Sequence, residues 1–242
     1  MRAIWLIARR ELASYLRTMS GYVIIALVLA LLALFFNSPL VIINAEQRSS
    51  EVLSEYFRYA SFFTCIVALL LSMRLLAEEQ QRGTVALLYS SPVREAEVVL
   101  GKFLSALAFL ALFLVTTLFM PALIMVHGKI SFGHLFAGYF GLLLFGAASI
   151  AIGIFGSALA KNQVVAIVVS GVIAGGLTLC WWMARVTERP ISDLIMGIAF
   201  WSQHFTPFQA GIIHVRDIVY YLVVTYLGLF AATRVLEARR WQ

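Results

Sequence analysis

Charge is what this sequence has least of. Asp, Glu, Lys and Arg make up 12% of its 242 residues, about half of the roughly 25% usual in soluble domains. Too few ions are present to cover a water-facing surface, which excludes an ordinary soluble domain. Cysteine is nearly missing. Cys65 and Cys180 both lie inside apolar runs, where they act as small hydrophobes, and neither a disulfide framework nor a CxxC metal site can be drawn from them. His127, His134, His204 and His214 are scattered, with no HExxH and no pair at metal-ligand spacing on one helix. A nucleotide-hydrolysing or ligand-binding domain needs about 100 residues of mixed composition, and no such stretch exists, so those activities are expected from partners. No internal repeat or low-complexity tract is visible.

What is present is apolar: 62% of residues, with mean hydropathy +0.93. A hydrocarbon core takes about 20 apolar residues per helical crossing, so six crossings use about 120 residues. Runs at 21–43, 56–77, 98–126, 135–160, 164–184 and 218–236 predict six transmembrane helices. The fold class that follows is an all-α membrane protein with one transmembrane domain over residues 1–242. Within the outer stretch 190–208, the apolar piece Leu194 to Trp201 is too short to span. A re-entrant or half-buried broken helix is expected there. Residues 1–18 place Ile4, Trp5, Ala8, Leu12, Tyr15 and Leu16 at helical spacing, with Arg2, Arg9, Arg10 and Arg17 largely on the other side. This predicts an amphipathic interfacial helix. No small-residue cleavage site follows a short apolar core, so a signal peptide is not the reading taken.

The net charge is +6 and the isoelectric point near 9.6, yet no soluble segment carries a basic patch for nucleic acid. Lys and Arg in short loops stay on the cytoplasmic side. With the N-terminus inside, 12 of the 18 basic residues are cytoplasmic, while the 12 acidic residues split evenly between the two sides. Both termini are therefore expected in the cytoplasm. No Asp or Glu falls near the middle of a predicted crossing, where proton- or sodium-coupled carriers usually need one. Arg58 and Arg74 flank the second crossing about 24 Å apart, so each snorkels to its own interface. Gly141, Gly146, Gly153 and Gly156 in the fourth crossing, and Gly171, Gly175 and Gly176 in the fifth, permit close helix contact. Packing within the chain is the first reading; a gate or sliding surface is the second.

The most informative segment joins the second and third crossings, RLLAEEQQRGTVALLYSSPVREAEVVLGK from Arg74 to Lys102. Glu78 and Glu79 precede Arg82 by four and three residues, spacing that suits ion pairing as the helix leaves the bilayer. Gly83 permits a break, Thr84 caps a short helix, Leu87, Leu88 and Tyr89 offer apolar surface, and Ser90, Ser91 and Pro92 end it. Two uses fit this helix over 83–92: docking into a groove on a soluble partner, or lying in the headgroup region.

These residues resemble a known family. The run EEQQRGTVALLYSSPV followed by VLGK is similar to the signature of ABC-2 type ABC transporter permeases, and ARRELASYLR resembles that family's N-terminal segment. HFTPFQAGIIHVRDIVYY, from His204 to Tyr221, resembles its gliding-motility-associated branch. The resemblance implies a permease half in a bacterial cytoplasmic membrane, paired with a second permease copy or a related permease and with two copies of a cytoplasmic ABC ATPase. ATP and magnesium belong to that ATPase, and no cofactor, metal or catalytic residue is expected in this chain. Glu79, Arg82, Gly83, Thr84, Leu87, Leu88, Ser91 and Pro92 then map to the coupling region, with Glu78 and Tyr89 beside them. Arg9, Arg10 and Glu11 map to the N-terminal helix, which also meets the ATPase. Trp201, His204, Phe205 and Phe208 are candidates for an outer gate or membrane anchor, and an outer accessory protein is a further partner to expect.

Gly101-Lys102 is followed by Phe103 and preceded five residues earlier by Ala96, so it is not a phosphate-cradling loop. Two other functions compete. An intramembrane protease would use Glu78, Glu79 and Arg82 as an approximate EExxxR motif, but the spacing is one residue short and lies at the helix exit. A membrane scaffold would pass ATP-driven force to an envelope machine without moving a solute. Topology gives the first test. With Cys65 and Cys180 replaced by Ala, an impermeant thiol reagent is expected to label Thr84→Cys only from the cytoplasmic side and Lys129→Cys only from the outside; the reverse pattern overturns the assigned orientation.

Overall fold

The computed structural model describes residues 2–36, 49–81, 83, 94–127 and 130–240. Among these the chain is all-helical, and it is a multi-pass membrane protein. The long helices are α1 (Arg2–Arg17), α2 (Met19–Phe36), α3 (Ser49–Gln81), α4 (Glu95–Thr117), α6 (Phe132–Leu159), α7 (Gln163–Val186) and α10 (Val215–Arg240). Shorter ones are α5 (Phe119–His127), α8 (Ile191–Ile198) and α9 (Thr206–Gln209). Five stretches are long and apolar enough to cross a bilayer: 50–81, 95–125, 132–159, 163–186 and 215–239. Counting α1 and α2 as one broken span makes six, and the two axes differ by 66°.

The bend between α1 and α2 has a local cause. A β-carbon at Gly21 would sit 2.5 Å from the carbonyl oxygen of Tyr15, so only glycine allows the second helix to fold back so tightly on the first. The apolar run 98–126 is not one straight helix. It breaks at Leu118, four residues after Leu114 and three before Pro121, because a proline ring collides with the carbonyl four residues upstream and offers no N–H. The part of the predicted first crossing beyond residue 36 lies outside the described residues.

Helix α6 is the centre of the bundle, packed against α3, α4, α7 and α10. Its glycines make this possible. A β-carbon at Gly153 would fall 1.7 Å from Ser72 Oγ on α3, and one at Gly228 on α10 would be 3.0 Å from Ala151. Ser157, one turn beyond Gly153, accepts from the backbone amides of Leu76 and Ala77 at 3.2 and 2.9 Å and donates to Met73 O at 3.1 Å. The small-xxx-small pair Gly153 and Ser157 is thus used inside the chain. Gly171, Gly175 and Gly176 on α7 have nothing within 4 Å of a built β-carbon, and Val168, Val172 and Leu179 beside them are exposed.

Gly153→Val is expected to cost about 2 kcal/mol of stability, since overpacking forces α3 and α6 apart. Gly175→Val is expected to leave the monomer's melting temperature unchanged. Thermal unfolding of both variants in detergent checks this, and equal losses would refute the close α3–α6 contact.

Candidate functional site

Lys102 lies in the second turn of α4, with its side chain only 3% exposed. Its ammonium donates to Leu75 O at 2.6 Å, to Glu79 Oε1 at 2.8 Å and to Glu11 Oε1 at 3.4 Å. An ammonium has three N–H groups, and all three are spent. One buried cation therefore ties α1, α3 and α4 together. Burial of a lone charge is prohibitive, whereas this one is met by two carboxylates and a carbonyl.

The neighbouring residue makes that geometry possible. A β-carbon at Gly101 would lie 2.9 Å from Ile7 Cβ and 3.0 Å from Ile4 O, so glycine lets α1 press onto α4 and brings Glu11 within reach of Lys102. Ile4, Ile7, Ala8, Leu12 and Tyr15 turn toward the protein, while Trp5 and Leu16 are exposed. The apolar side of α1 is thus divided between the bundle and its surroundings. Tyr15 adds a second tie, its hydroxyl donating to Leu71 O at 3.0 Å.

The exit of α3 is held from two further helices. Gln80 Nε2 donates to Ala158 O at 3.3 Å, and Arg239 near the end of α10 donates to Gln80 Oε1 at 2.6 Å and to Leu159 O at 2.9 Å. Arg74 and Glu78 pair along α3 at 3.2 Å. Within a few residues of Gln81, then, α3 is bonded to α4, α6 and α10, and through Lys102 to α1. Gly83, exposed and at φ +69°, follows at once, a left-handed conformation that suits glycine.

Of the residues singled out in the sequence, Glu11, Glu78 and Glu79 converge on this end of the bundle. Arg9 and Arg10 are exposed, and Arg10 reaches Glu11 at 3.4 Å. Arg82 and residues 84–93, including Thr84, Leu87, Leu88, Tyr89, Ser91 and Pro92, lie outside the described residues, and with them most of the helix expected over 83–92. Sequence reasoning missed Lys102, Gln80 and Arg239 as site residues. The available signal was a lysine set directly after a glycine inside an apolar run.

At the opposite end, the chain from Ala199 to His214 forms a strap over the bundle. Trp201 Nε1 donates to Ser61 Oγ at 2.7 Å, and Gln209 O accepts from Ser54 Oγ at 2.9 Å and from His134 Nε2 at 2.6 Å. Phe205 and Phe208 are fully buried. Phe205 packs on Phe145, and Phe208 sits where a β-carbon at Gly141 would lie 2.6 Å away. His204 is buried as well, stacked on Tyr220 at 3.7 Å with Nδ1 2.8 Å from Asp217 Oδ1. Arg58, near this end, pairs with Glu55 and lies over the Tyr59 ring.

The model of one protein family, described as ABC-2 family transporter protein, matches residues 5–192, most of the chain. No curated protein matches it.

Lys102→Met leaves two carboxylates facing each other beside an unmet carbonyl. A loss of about 3 kcal/mol in stability is expected, as when one partner is removed from a buried ion pair. Glu79→Gln is expected to cost less, and the double variant less than the sum of the two. Unfolding of the three variants by denaturant in detergent measures the coupling, and strict additivity would refute the Lys102–Glu79 tie.

Proposed function

We propose a force-coupling membrane subunit, from one premise: the chain belongs to the ABC-2 family of transporter proteins. In this reading it is the permease subunit of an ATP-driven exporter, working as a homodimer or beside a related permease, with an ABC ATPase bound at each cytoplasmic face. The end that carries Lys102 faces the cytoplasm, in keeping with the excess of basic residues assigned to that side. The segment between Gln81 and Arg94 receives the push of the ATPase.

The observation that carries this reading is the bonding of Lys102. The receiving segment is flanked by α3 and α4, and a 2.8 Å charge-assisted bond joins them at its root. Displacement of the segment therefore moves α3 and α4 together rather than splaying them. Glu11 adds α1 to the moving body through the same ammonium. Such a body swings against its neighbours as a rigid unit, a known class of transition. Gly83 supplies the joint between the receiving segment and the lever. The sequence similarity of the outer segment to the gliding-motility branch bears on the same question, since cargo export and force transmission both fit this coupling.

A charge on the apolar surface of the receiving segment is expected to break the contact. Leu88→Asp is predicted to abolish co-purification with the ATPase in mild detergent and to remove stimulation of its ATP turnover. Retention of both would sink the contact. In liposomes holding the whole complex, ATP-dependent movement of a labelled candidate cargo supports export. ATP turnover without movement supports a force-transmitting scaffold.

A further inference from the structure

The His204–Asp217 pair lies at the end of the bundle opposite Lys102, and its hydrogen-bond arithmetic has one solution. Nε2 of His204 is 3.1 Å from Gly197 O, and a carbonyl only accepts, so Nε2 carries a hydrogen. Nδ1 is 2.8 Å from Asp217 Oδ1. A neutral imidazole has a single N–H, already committed to Gly197. The second hydrogen is therefore either on Nδ1, giving an imidazolium beside a carboxylate, or on the Asp217 carboxyl. In both forms the pair is uncharged overall and holds one proton more than a neutral histidine beside an ionised aspartate. His134 makes a useful contrast, since its bond to Gln209 O needs only one ring hydrogen.

We propose that this shared proton latches the strap to the head of α10, and that drawing it off loosens the strap. Without it, the ring must surrender either Gly197 or Asp217, because a lone pair then faces an acceptor. Few other groups can compensate. Asp217 is fully buried, and its Oδ2 finds no donor among the described residues. Arg216 approaches Oδ1 at 3.4 Å, but its side chain is 64% exposed and largely solvated. Tyr220 and Tyr221 of α10 spend their hydroxyls on Ile198 O and Phe200 O, at 2.7 and 3.0 Å. Cys180 of α7 lies near Tyr220, and Asp193 of α8 is drawn to Arg189 at 4.0 Å.

The latch matters because of what the strap covers. Through Trp201 and Gln209 it rests on Ser61 and Ser54 of α3 and on His134 of α6, two helices whose other ends are joined by the Gln80–Ala158 bond beside the Lys102 cluster. Among these ties the His204 bond is the one that requires an added proton. The inference is independent of which ATPase or cargo the chain uses. It concerns only whether this end opens with falling proton availability.

Hydrogen–deuterium exchange of residues 199–214 tests it, on the full chain with its co-expressed ATPase in nanodiscs at pH 5.5 and 8.5, with labelling times scaled for intrinsic exchange. About a fivefold rise in exchange at the higher pH is expected, the size of one net hydrogen bond. Asp217→Asn is expected to abolish the pH response and keep the strap protected, because its amide N–H donates to Nδ1 while Nε2–H still meets Gly197. His204→Gln is expected to give a flat response at any level of protection. If Asp217→Asn fails to yield a monodisperse complex, His204→Gln decides alone. Equal wild-type protection at both pH values, or a wild-type response in either variant, overturns the latch.

Discussion

A charge placed where water cannot reach it must be answered by the protein, and at Lys102 that requirement organises one whole end of the molecule. Three acceptors from α1 and α3 converge on a cation carried by α4. Removal of any one leaves an unbalanced group in a low-dielectric setting, where the penalty is greatest. The same constraint explains Gly101. Only a residue without a side chain lets α1 come close enough to deliver Glu11. The cluster is thus a joint made stiff by electrostatics and placed by sterics.

Stiffness at that joint is useful only if the rest of the bundle transmits it. In the proposed coupling that falls to helix α6, which approaches α3 closely, with Gly153 against Ser72 and Ser157 bonded into α3. In a bilayer the hydrophobic effect does little to hold helices together, so contact of this kind and interhelical hydrogen bonds carry the load. The far end of α3 is then covered by the strap. One long helix connects the Lys102 cluster to the strap, and a displacement at its exit reaches Ser54 and Ser61 along an unbroken backbone ladder.

Much of this was legible in the sequence. Apolar run length located α3, α4, α6, α7 and α10, since a crossing is a one-dimensional property of composition. The short piece Leu194 to Trp201 was recognisable as unable to span, and the structure resolves that stretch into α8 and the start of the strap. The break at Leu118 was harder to see, because Leu118 and Phe119 continue the apolar pattern and only Pro121 marks the interruption. Pairings were less legible still. Glu79 meets Lys102 from 23 residues away, and Gln80 meets Arg239 from 159. Local spacing sets Arg82, which lies outside the described residues, beside Glu78 and Glu79; the described bonds add Arg74 on the same helix and Lys102 on the next. Helical spacing counts neighbours on one helix and is blind to the next.

The histidines carry the same lesson into chemistry. By composition, His134 and His204 are two polar residues in outer connections. Their surroundings separate them: His134 meets the strap with one hydrogen bond, whereas His204 is sandwiched between a carbonyl and a buried carboxylate and stacked on Tyr220. Protonation state follows from the number of acceptors each ring must satisfy, which no run of letters contains. The two ends of α3 are then governed by different physics. At one, Lys102 meets two carboxylates and a carbonyl at once; at the other, the proposed latch rests on a ring placed between two acceptors.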